Sequence, residues 1–527
     1  MSFKVFIPTA GIGSRLGRFT TNINKSLVSV NNKPVISHII DSFPDSCRFV
    51  IALGYKGDLV KEFIKQIYPK KQIEFNFIDP YIGDNSGLTY TLLSSSHLLQ
   101  EPFVFISCDT LITNSIPYPD HNWVAFSKNT EIDSYRTLEI KSNKVQDFID
   151  KGKGKMSINF PYIGLCGIFD FKLFWEGLEK DNNRNINIGE VSGLRNLITK
   201  GINAYKMQWF DTGNIEALNK AREKFKSKNS PVILEKEKEA IWFLDEKVIK
   251  FSTDQEFIKN RCKRSKILTD FIPKITNQSK HMYFYKKVNG DVLSKVCNMP
   301  MFKKLLDKSE IFWNKYQLDR ESRENFENVC LDFYKEKTKK RIKHFFNEFR
   351  INDQAQNING ELVPELKILI DKIDWQYLSK GIPVRFHGDF HFENILWNQD
   401  EDDFVFLDWR QDFGGILNYG DIYYDFAKLL HGLIVSHKLI EEEHFFVEWD
   451  INKINFVLHR YQKDVDFEKY FNYWCNAKGY DFNKVKVITA LIYLNIAPLH
   501  HQPYNYLLFA LGKLMLYREL KNNEISK

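Results

Sequence analysis

Short apolar runs alternate with amphipathic segments along the first part of the chain. The runs 3–7, 47–53 and 73–78 have the length and composition of buried strands, and the segment 59–67 has the spacing of a helix. Another run with the pattern of a buried strand, 103–109, ends on the carboxylate of Asp109. This alternation predicts an α/β domain in which a mostly parallel sheet is covered by helices. Ligands bind such domains at the carboxyl ends of the strands.

A different pattern follows in the second part of the chain. Two β-like segments at 240–244 and 247–251 precede a helical stretch at 254–268 and a strand at 281–287. Beyond Met299 the pattern is helical to the C-terminus. This order predicts an α+β domain with a small β-rich lobe and a large helical lobe.

The boundary between the two patterns is marked by composition. A Lys-rich helical segment at 217–228 is followed by Asn229, Ser230 and Pro231, which break the pattern. A chain of 527 residues is also too long for one hydrophobic core. The sequence therefore predicts domains at 1–228 and 237–527, joined by a linker at 229–236.

Charge and cysteine content narrow the class of protein. The net charge of +7 comes from 74 basic and 67 acidic residues, and no Lys/Arg block is dense enough to indicate nucleic-acid binding. The seven cysteines are scattered without Cys-x-x-Cys spacing, which is typical of a reducing cytosol and of neither a zinc site nor a disulfide framework. No signal-peptide pattern and no apolar run of membrane-spanning length is found. We expect a cytoplasmic protein without a membrane partner.

The first strand leads into a glycine-rich loop. Gly11, Gly13 and Gly17 are interspersed with Arg15, and Lys25 follows. Glycines let backbone N–H groups close around phosphate oxygens, a following helix presents its N-terminus to the anion, and the two cations add positive charge. The pattern fits neither the Walker motif nor the dinucleotide fingerprint.

This stretch resembles the signature of the nucleotidyltransferases that activate sugar phosphates and phosphocholine. Asn24 stands where that family usually has proline. The resemblance implies a Rossmann-like domain in which Arg15 and Lys25 are catalytic and Gly11, Gly13 and Gly17 bind nucleotide. It also implies that Ser86 and Gly87 hold the base and ribose, although a simple N-cap is the alternative at this helix start.

Two carboxylates extend the resemblance. Asp109 ends an apolar strand, and Asp211 lies in a Trp-x-Asp-Thr-Gly setting. In the family the matching aspartates hold Mg²⁺, which prefers oxygen ligands. The stretch 162–169, which contains Gly167, resembles the strand that lines the pocket of the phosphate-ester acceptor. Glu190 resembles the family's acidic contact to sugar hydroxyls, and a helix cap is the alternative for this residue. The implied reaction is attack of a phosphate monoester on the α-phosphorus of CTP or UTP, with release of pyrophosphate.

A second constellation lies in the later part of the chain. Asp389 and Asn394 have the spacing of a kinase catalytic loop, and Asp408 ends the next apolar strand. In kinases the first Asp accepts the proton of the attacking hydroxyl, and the Asn and second Asp bind metal. His387 and His391 at i, i+4 could suggest a metal site, but orienting roles within the loop are favoured.

These residues resemble the aminoglycoside phosphotransferase and choline kinase superfamily, from about residue 237 to the end. The resemblance implies binding of ATP and Mg²⁺, with Lys250 gripping the ATP phosphates. Lys247 is the competing lysine, and Glu256 is the candidate partner acid.

The two halves together suggest consecutive steps. In the first step, the kinase-like second half would phosphorylate a small hydroxyl compound with ATP. In the second step, the first half would couple the resulting phosphate ester to CTP or UTP. The product would be a nucleotide-activated precursor for surface polysaccharide or headgroup synthesis. The acceptor could be a sugar or an amino alcohol such as choline or ethanolamine. The alternative is a single nucleotidyltransferase activity with a kinase-like regulatory module.

Overall fold

The computed structural model describes residues 2–83, 86–128, 132–155, 158–183, 188–226 and 236–525. The predicted linker, 229–236, therefore lies outside the described residues except for residue 236. Residues 84 and 85, which precede the predicted base-binding pair, also lie outside them. The chain divides into two compact units. The first runs to residue 254 and includes 279–284, and the second comprises 255–278 and 285 to the C-terminus. Residues 237–254, predicted to begin the second domain, thus fall in the first unit.

The first unit contains fifteen strands and six α-helices among its described residues before residue 254. The strands are β1 (Lys4–Pro8), β2 (Ser29–Val30), β3 (Lys33–Pro34), β4 (Arg48–Leu53), β5 (Ile73–Phe77), β6 (Phe103–Ile106), β7 (Thr110–Ile112), β8 (Trp123–Phe126), β9 (Thr137–Lys141), β10 (Lys144–Ile149), β11 (Asn159–Ile168), β12 (Asn203–Lys206), β13 (Trp209–Asp211), β14 (Glu239–Leu244) and β15 (Lys247–Ser252). The helices are α1 (Val35–Asp41), α2 (Gly57–Ile67), α3 (Leu88–Ser95), α4 (Phe171–Asn182), α5 (Val191–Leu197) and α6 (Ile215–Phe225).

A nine-stranded sheet forms the centre of this unit, in the order β5-β4-β1-β6-β11-β8-β12-β10-β9. The strands β5, β4, β1 and β6 are parallel, and the sheet becomes mixed from β11 onward. In β1, Val5 and Ile7 face one hydrophobic core and Phe6 faces another, and all three are fully buried. Both faces of β1 are covered, which explains its unbroken apolar pattern. The predicted α/β architecture is confirmed.

The second unit is predominantly helical. Its helices are α7 (Gln255–Ser265), α8 (Leu293–Val296), α9 (Met299–Phe312), α10 (Arg320–Leu331), α11 (Lys337–Phe349), α12 (Leu366–Asp371), α13 (Trp375–Ser379), α14 (Ile422–Ile434), α15 (His437–Glu441), α16 (Gln462–Ala477), α17 (Phe482–Ile496) and α18 (Tyr504–Ile525). No helix in the described ranges is long and apolar enough to cross a membrane.

Short strands complete the fold. They are β16 (Ile275–Gln278), β17 (Met282–Lys286), β18 (Asp291–Val292), β19 (Gln356–Ile358), β20 (Glu361–Val363), β21 (Pro383–Val384), β22 (Ile395–Asn398), β23 (Asp403–Phe406), β24 (Gly420–Asp421), β25 (Phe445–Trp449) and β26 (Lys453–Leu458). β17 begins in the first unit and ends in the second. The hairpin of β22 and β23 places Asn394 immediately before one strand and Asp408 shortly after the other. This hairpin therefore brings together two of the predicted metal ligands.

Candidate functional site

A cavity of about 360 Å³ opens in the first unit where β1 and β6 end. Seven of the residues predicted from sequence line it: Gly11, Arg15, Lys25, Gly87, Asp109, Glu190 and Asp211. The location agrees with the rule that ligands bind beyond the carboxyl ends of parallel strands. Residues from widely separated parts of the chain thus meet at one site.

The glycine loop has a different local structure from the expected regular helix. Residues Ser14–Thr20 form a 3₁₀ segment that is interrupted at Gly17, whose φ is +53°. Gly13 has a φ of +72°, and a Cβ there would lie 2.9 Å from Lys25 Cβ. Gly13 and Gly17 therefore shape the loop, and only Gly11 of the three lines the cavity. A side chain on Gly11 would meet nothing within 4 Å among the described residues.

Asn24 fixes the segment that carries Lys25. Its side-chain amide donates to the carbonyl oxygens of Thr9 and Tyr55 at 2.9 and 2.6 Å, and its Oδ1 accepts from the Ser26 N–H at 2.9 Å. Asn24 is fully buried. Three hydrogen bonds thus restrain the residue that replaces the proline usual in the resembling family, and Lys25 is held in place.

Lys25 and Asp109, which both line the cavity, form an ion pair. Lys25 Nζ lies 3.0 Å from Asp109 Oδ2, and each side chain is 20% exposed. Burial alone would lower the pKa of Lys25, but the Asp109 carboxylate outweighs it and raises that pKa. Burial would likewise raise the pKa of Asp109, and Lys25 outweighs it and lowers that pKa. Both groups are therefore charged at neutral pH.

Asp211 lines the same cavity as this ion pair. Its Oδ2 accepts a hydrogen bond from Tyr135 Oη at 2.8 Å, and its Oδ1 accepts from the Gly213 N–H at 2.8 Å. A Cβ built on Gly213 would lie 3.1 Å from Asp211 Oδ1 and 3.2 Å from both Asp109 Oδ2 and Arg15 Nη2. Burial and the nearby Asp109 raise the pKa of Asp211. The absence of a side chain at Gly213 leaves room for the two carboxylates and the guanidinium to converge.

The donor set fits a magnesium ion that shares its shell with a substrate. Within the described ranges, no group of three or more His, Cys, Asp or Glu side chains could hold a metal ion. Two converging carboxylates supply part of an oxygen shell, and phosphate oxygens of a nucleotide could supply the remainder. Asp109 and Asp211 are therefore the residues that would hold Mg²⁺ in this unit.

Of the two residues predicted to contact the acceptor, Glu190 lines the cavity and Gly167 does not. Glu190 is 5% exposed, lines the cavity and precedes α5, but its side chain makes no capping hydrogen bond there. Burial raises the pKa of Glu190. Gly167 packs against Trp123, since a Cβ at position 167 would lie 2.0 Å from Trp123 Nε1. The absent side chain of Gly167 accommodates the tryptophan ring.

Only one residue of the predicted base-binding pair lines the cavity. Gly87 lines the cavity, whereas Ser86 does not, and Ser86 Oγ donates to the Gly83 carbonyl at 2.7 Å. The cavity also contains side chains that sequence reasoning missed: Tyr135, Arg136, Lys151, Tyr162 and Trp209. Tyr162 and Trp209 lie in motifs recognised from the sequence, but the other three have no such signal.

In the second unit the predicted catalytic loop forms a connected polar cluster. Asn394 Nδ2 donates to the Asp389 carboxylate at 3.0 Å and to its backbone carbonyl at 2.9 Å. Lys428 Nζ lies 2.7 Å from Asp389 Oδ1. Burial would raise the pKa of Asp389, but Lys428 and His391 outweigh it and hold that pKa well below its usual value. The carboxylate is ionised and could accept a proton.

The two histidines of this loop contact other residues of the same loop. His387 is fully buried, its Nδ1 accepts from the Asp389 N–H at 3.2 Å, and burial lowers its pKa to about 3. His391 Nε2 lies 3.1 Å from Asn394 Nδ2 and 3.6 Å from Asp389 Oδ2. Both histidines are thus in contact with the loop that carries the candidate base.

Asp408 lies beyond β23 in the left-handed region, with a φ of +56°. Aspartate tolerates this conformation better than most residues, and such strain is common at functional sites. Arg261 Nη1 lies 3.2 Å from Asp408 Oδ1. With Asn394, Asp408 supplies oxygen atoms of the kind that Mg²⁺ prefers, so these two residues would hold the metal in this unit.

The upstream lysine and its candidate partner fall in different units. Lys250 is buried on β15, opposite Ile241 of β14, within the first unit. Glu256 is on α7 in the second unit and forms an exposed ion pair with Lys259 at 2.8 Å. The ATP-binding role of Lys250 stays a prediction.

Comparison with known proteins supports two different resemblances. Residues 338–450 match the model of the phosphotransferase enzyme family, and this range contains Asp389, Asn394 and Asp408. The N-terminal region matches sugar-phosphate nucleotidyltransferases. The chain thus joins a kinase-like segment to a nucleotidyltransferase-like region. Both resemblances predicted from the sequence are confirmed.

Three curated relatives illustrate the resemblance to nucleotidyltransferases. The chain is 22% identical over 161 residues to the bifunctional protein GlmU of Methanococcus maripaludis, covering 30% of this chain and 38% of the relative. It is 25% identical over 169 residues to a probable mannose-1-phosphate guanylyltransferase of Oryza sativa, covering 28% and 45%. It is 28% identical over 115 residues to the UTP–glucose-1-phosphate uridylyltransferase AglF of Haloferax volcanii, covering 21% and 46%. The matched region spans less than half the length of each relative.

Solved structures also align with the chain. One is UDP-glucose pyrophosphorylase in complex with UDP-glucose, with 18% identity, a TM-score of 0.36, and coverage of 43% of this chain and 98% of that chain. Another is the CTP:phosphocholine cytidylyltransferase LicC of Streptococcus pneumoniae, with 18% identity, a TM-score of 0.37, and coverage of 43% and 100%.

Proposed function

We propose that this protein is a bifunctional enzyme that phosphorylates a small hydroxyl compound and then couples the phosphate ester to a nucleotide. The second unit would use ATP, and the first unit would use CTP or UTP and release pyrophosphate. The observation that carries the proposal is the convergence of Arg15, Lys25, Asp109 and Asp211 on one cavity. The cluster of Asp389 and Asn394 supports the additional kinase step.

In the kinase step, the Asp389 carboxylate accepts the proton of the acceptor hydroxyl. The acceptor oxygen then forms a bond to the γ-phosphorus of ATP, and the bond to the β–γ bridging oxygen breaks to release ADP. Asn394 holds the carboxylate through the hydrogen bond at 3.0 Å. Bound Mg²⁺ would neutralise charge on the transferring phosphates.

In the second step, an oxygen of the new phosphate ester attacks the α-phosphorus of CTP or UTP. Pyrophosphate leaves with the electron pair of the broken bond, and no covalent enzyme intermediate is required. Lys25 and Arg15 would stabilise the negative charge that develops on the phosphate oxygens. The ion pair with Asp109 keeps Lys25 charged and holds it in the lining of the cavity.

The names of the curated relatives make sugar phosphates the first acceptors to test. AglF is named for glucose 1-phosphate, and the rice relative is named for mannose 1-phosphate. Choline and ethanolamine belong in the same panel, because the sequence resemblance includes choline kinases. The expected product is a cytoplasmic, nucleotide-activated precursor for surface polysaccharide or headgroup synthesis.

The test uses the intact protein with Mg²⁺, ATP and either CTP or UTP. Glucose, mannose, ribitol, choline and ethanolamine are offered singly, and ADP and pyrophosphate are measured separately. We expect one acceptor to release both products. Asp389→Ala should abolish both, and Lys25→Ala should abolish only pyrophosphate. In a parallel set of reactions the phosphate esters of these compounds are supplied. If pyrophosphate forms only from the esters and ADP never forms, the second unit is not a kinase for this pathway and the bifunctional proposal is wrong.

A further inference from the structure

The helix α14 carries a lysine to which the sequence assigned no role. Lys428 lies on this helix with its side chain 13% exposed, and its Nζ is 2.7 Å from Asp389 Oδ1. Burial would lower the pKa of Lys428, but Asp389 outweighs it and raises that pKa. Lys428 is therefore an ammonium group held against the candidate base.

The same helix also binds the backbone of the catalytic loop. The Asp425 carboxylate accepts hydrogen bonds from the N–H groups of His387 at 2.7 Å and Gly388 at 2.6 Å. It also accepts one from Trp313 Nε1 at 2.9 Å. Asp425 and Lys428 are three residues apart, so they lie on one face of the helix. One helix face thus contacts both the backbone and the carboxylate of the loop.

The conformation of the loop depends on this close approach. Gly388 has a φ of +90°, and a Cβ there would lie 2.5 Å from Arg410 Cβ. Only glycine adopts this backbone without strain, and its N–H then points at Asp425. The residue that follows is Asp389, so the backbone anchor lies next to the base that Lys428 contacts.

The Asp389 carboxylate is held at both oxygen atoms. Oδ1 contacts Lys428, and Oδ2 accepts from Asn394 Nδ2 at 3.0 Å. The Asp389 side chain is still 37% exposed, which leaves part of it open to an acceptor. With both oxygen atoms engaged, rotation of the carboxylate would break at least one charge-assisted hydrogen bond.

We propose that Lys428 is a positioning residue for the kinase step, which fixes the Asp389 carboxylate in the orientation that receives the acceptor proton. This inference rests on the kinase half of the proposed function. A misplacement of about 1 Å at a reacting group can reduce a rate by about 100-fold. Loss of Lys428 should therefore reduce turnover much more than nucleotide binding.

The experiment compares Lys428→Met, Lys428→Arg and wild type in the full-length protein. ADP release is measured with Mg²⁺-ATP and the acceptor panel above, and kcat is expressed per ATP-binding site titrated in the same sample. We expect Lys428→Met to lower kcat about 100-fold with KM for ATP changed less than about threefold. Lys428→Arg retains a cation and should recover kcat to within about tenfold of wild type.

The matched control is Lys438→Met, on the following helix. Lys438 is 65% exposed and lies 3.8 Å from Glu442, so its loss should leave kcat unchanged. A Lys428→Met protein that keeps kcat within about threefold of wild type would overturn the inference. Equal loss of ATP-binding sites in the Met and Arg variants, with normal kcat per remaining site, would also overturn it, because Lys428 would then only stabilise the fold. A wild-type protein that releases no ADP would instead overturn the proposed kinase function itself.

Discussion

Replacing Lys25 with methionine removes the ammonium group that lies 3.0 Å from Asp109 Oδ2. Methionine keeps a similar length and apolar stem, so the main change is the loss of charge. Loss of one preorganised donor to a developing negative charge typically reduces kcat by about 10²- to 10³-fold, which corresponds to about 2.7–4 kcal/mol. We expect an effect of this size on pyrophosphate release.

The substitution should also affect folding stability. It leaves the Asp109 carboxylate, whose side chain is 20% exposed, without its closest cation. Leaving a charged group unpaired costs roughly 1–3 kcal/mol at a site that retains some solvent contact. The free energy of unfolding should fall by an amount in this range, which urea denaturation of the wild type and variant would measure.

The activity assay supplies the phosphate ester directly, so that the kinase step is bypassed. Lys33→Met serves as the control, because Lys33 is also paired with an aspartate and is 25% exposed, yet does not line the cavity. We expect the control to release pyrophosphate at the wild-type rate. Wild-type release by Lys25→Met, within about threefold, would refute the reasoning that this lysine stabilises the reacting phosphates.

Three further substitutions test separate parts of the structure. Gly213→Ala would place a methyl group 3.1 Å from Asp211 Oδ1, so pyrophosphate release should fall at least about tenfold, and an unchanged rate would contradict the convergence at this point. Gly167→Ala would press on Trp123 and should lower the free energy of unfolding by about 2 kcal/mol in urea, whereas unchanged stability would show that the packing relaxes. His431 is buried and neutral, because burial lowers its pKa well below the usual value, and acid therefore favours the unfolded chain. This residue should remove on the order of 1 kcal/mol of stability between pH 7.5 and 5.5. His431→Phe should flatten the pH dependence of urea unfolding by that amount, and an identical pH dependence would contradict the assignment.

Much of the first unit could be predicted because its local patterns are strong. The apolar run of β1 is continuous since both of its faces are buried, with Val5, Phe6 and Ile7 fully covered. The convergence of Asp109 and Asp211 required the resemblance, because the residues are distant in sequence. The structure gives the physical reason, since β13 pairs with β7 and places Asp211 opposite Thr110, the neighbour of Asp109.

The remaining features depend on tertiary contacts without a sequence signal. Gly167 accommodates Trp123 of a neighbouring strand, and no local pattern distinguishes that packing from a ligand contact. Lys428 is one of many lysines in the sequence, and only the packing of α14 brings it to Asp389. Likewise, only the tertiary structure brings Arg261 of α7 to Asp408. These two charged pairs join elements that are distant in sequence, which is why sequence reasoning missed them.

The central claim is that one protein transfers the γ-phosphate of ATP to an acceptor and then incorporates that phosphate into a nucleotide-activated product. The most direct measurement uses ATP radiolabelled at the γ-phosphate, with unlabelled CTP or UTP and the acceptor panel in one reaction. The account predicts label in the nucleotide-activated product and none in pyrophosphate. It also predicts that Lys25→Ala stops the label at the phosphate ester and that Asp389→Ala leaves it in ATP. Label that never enters the nucleotide-activated product in the wild-type reaction would contradict the claim.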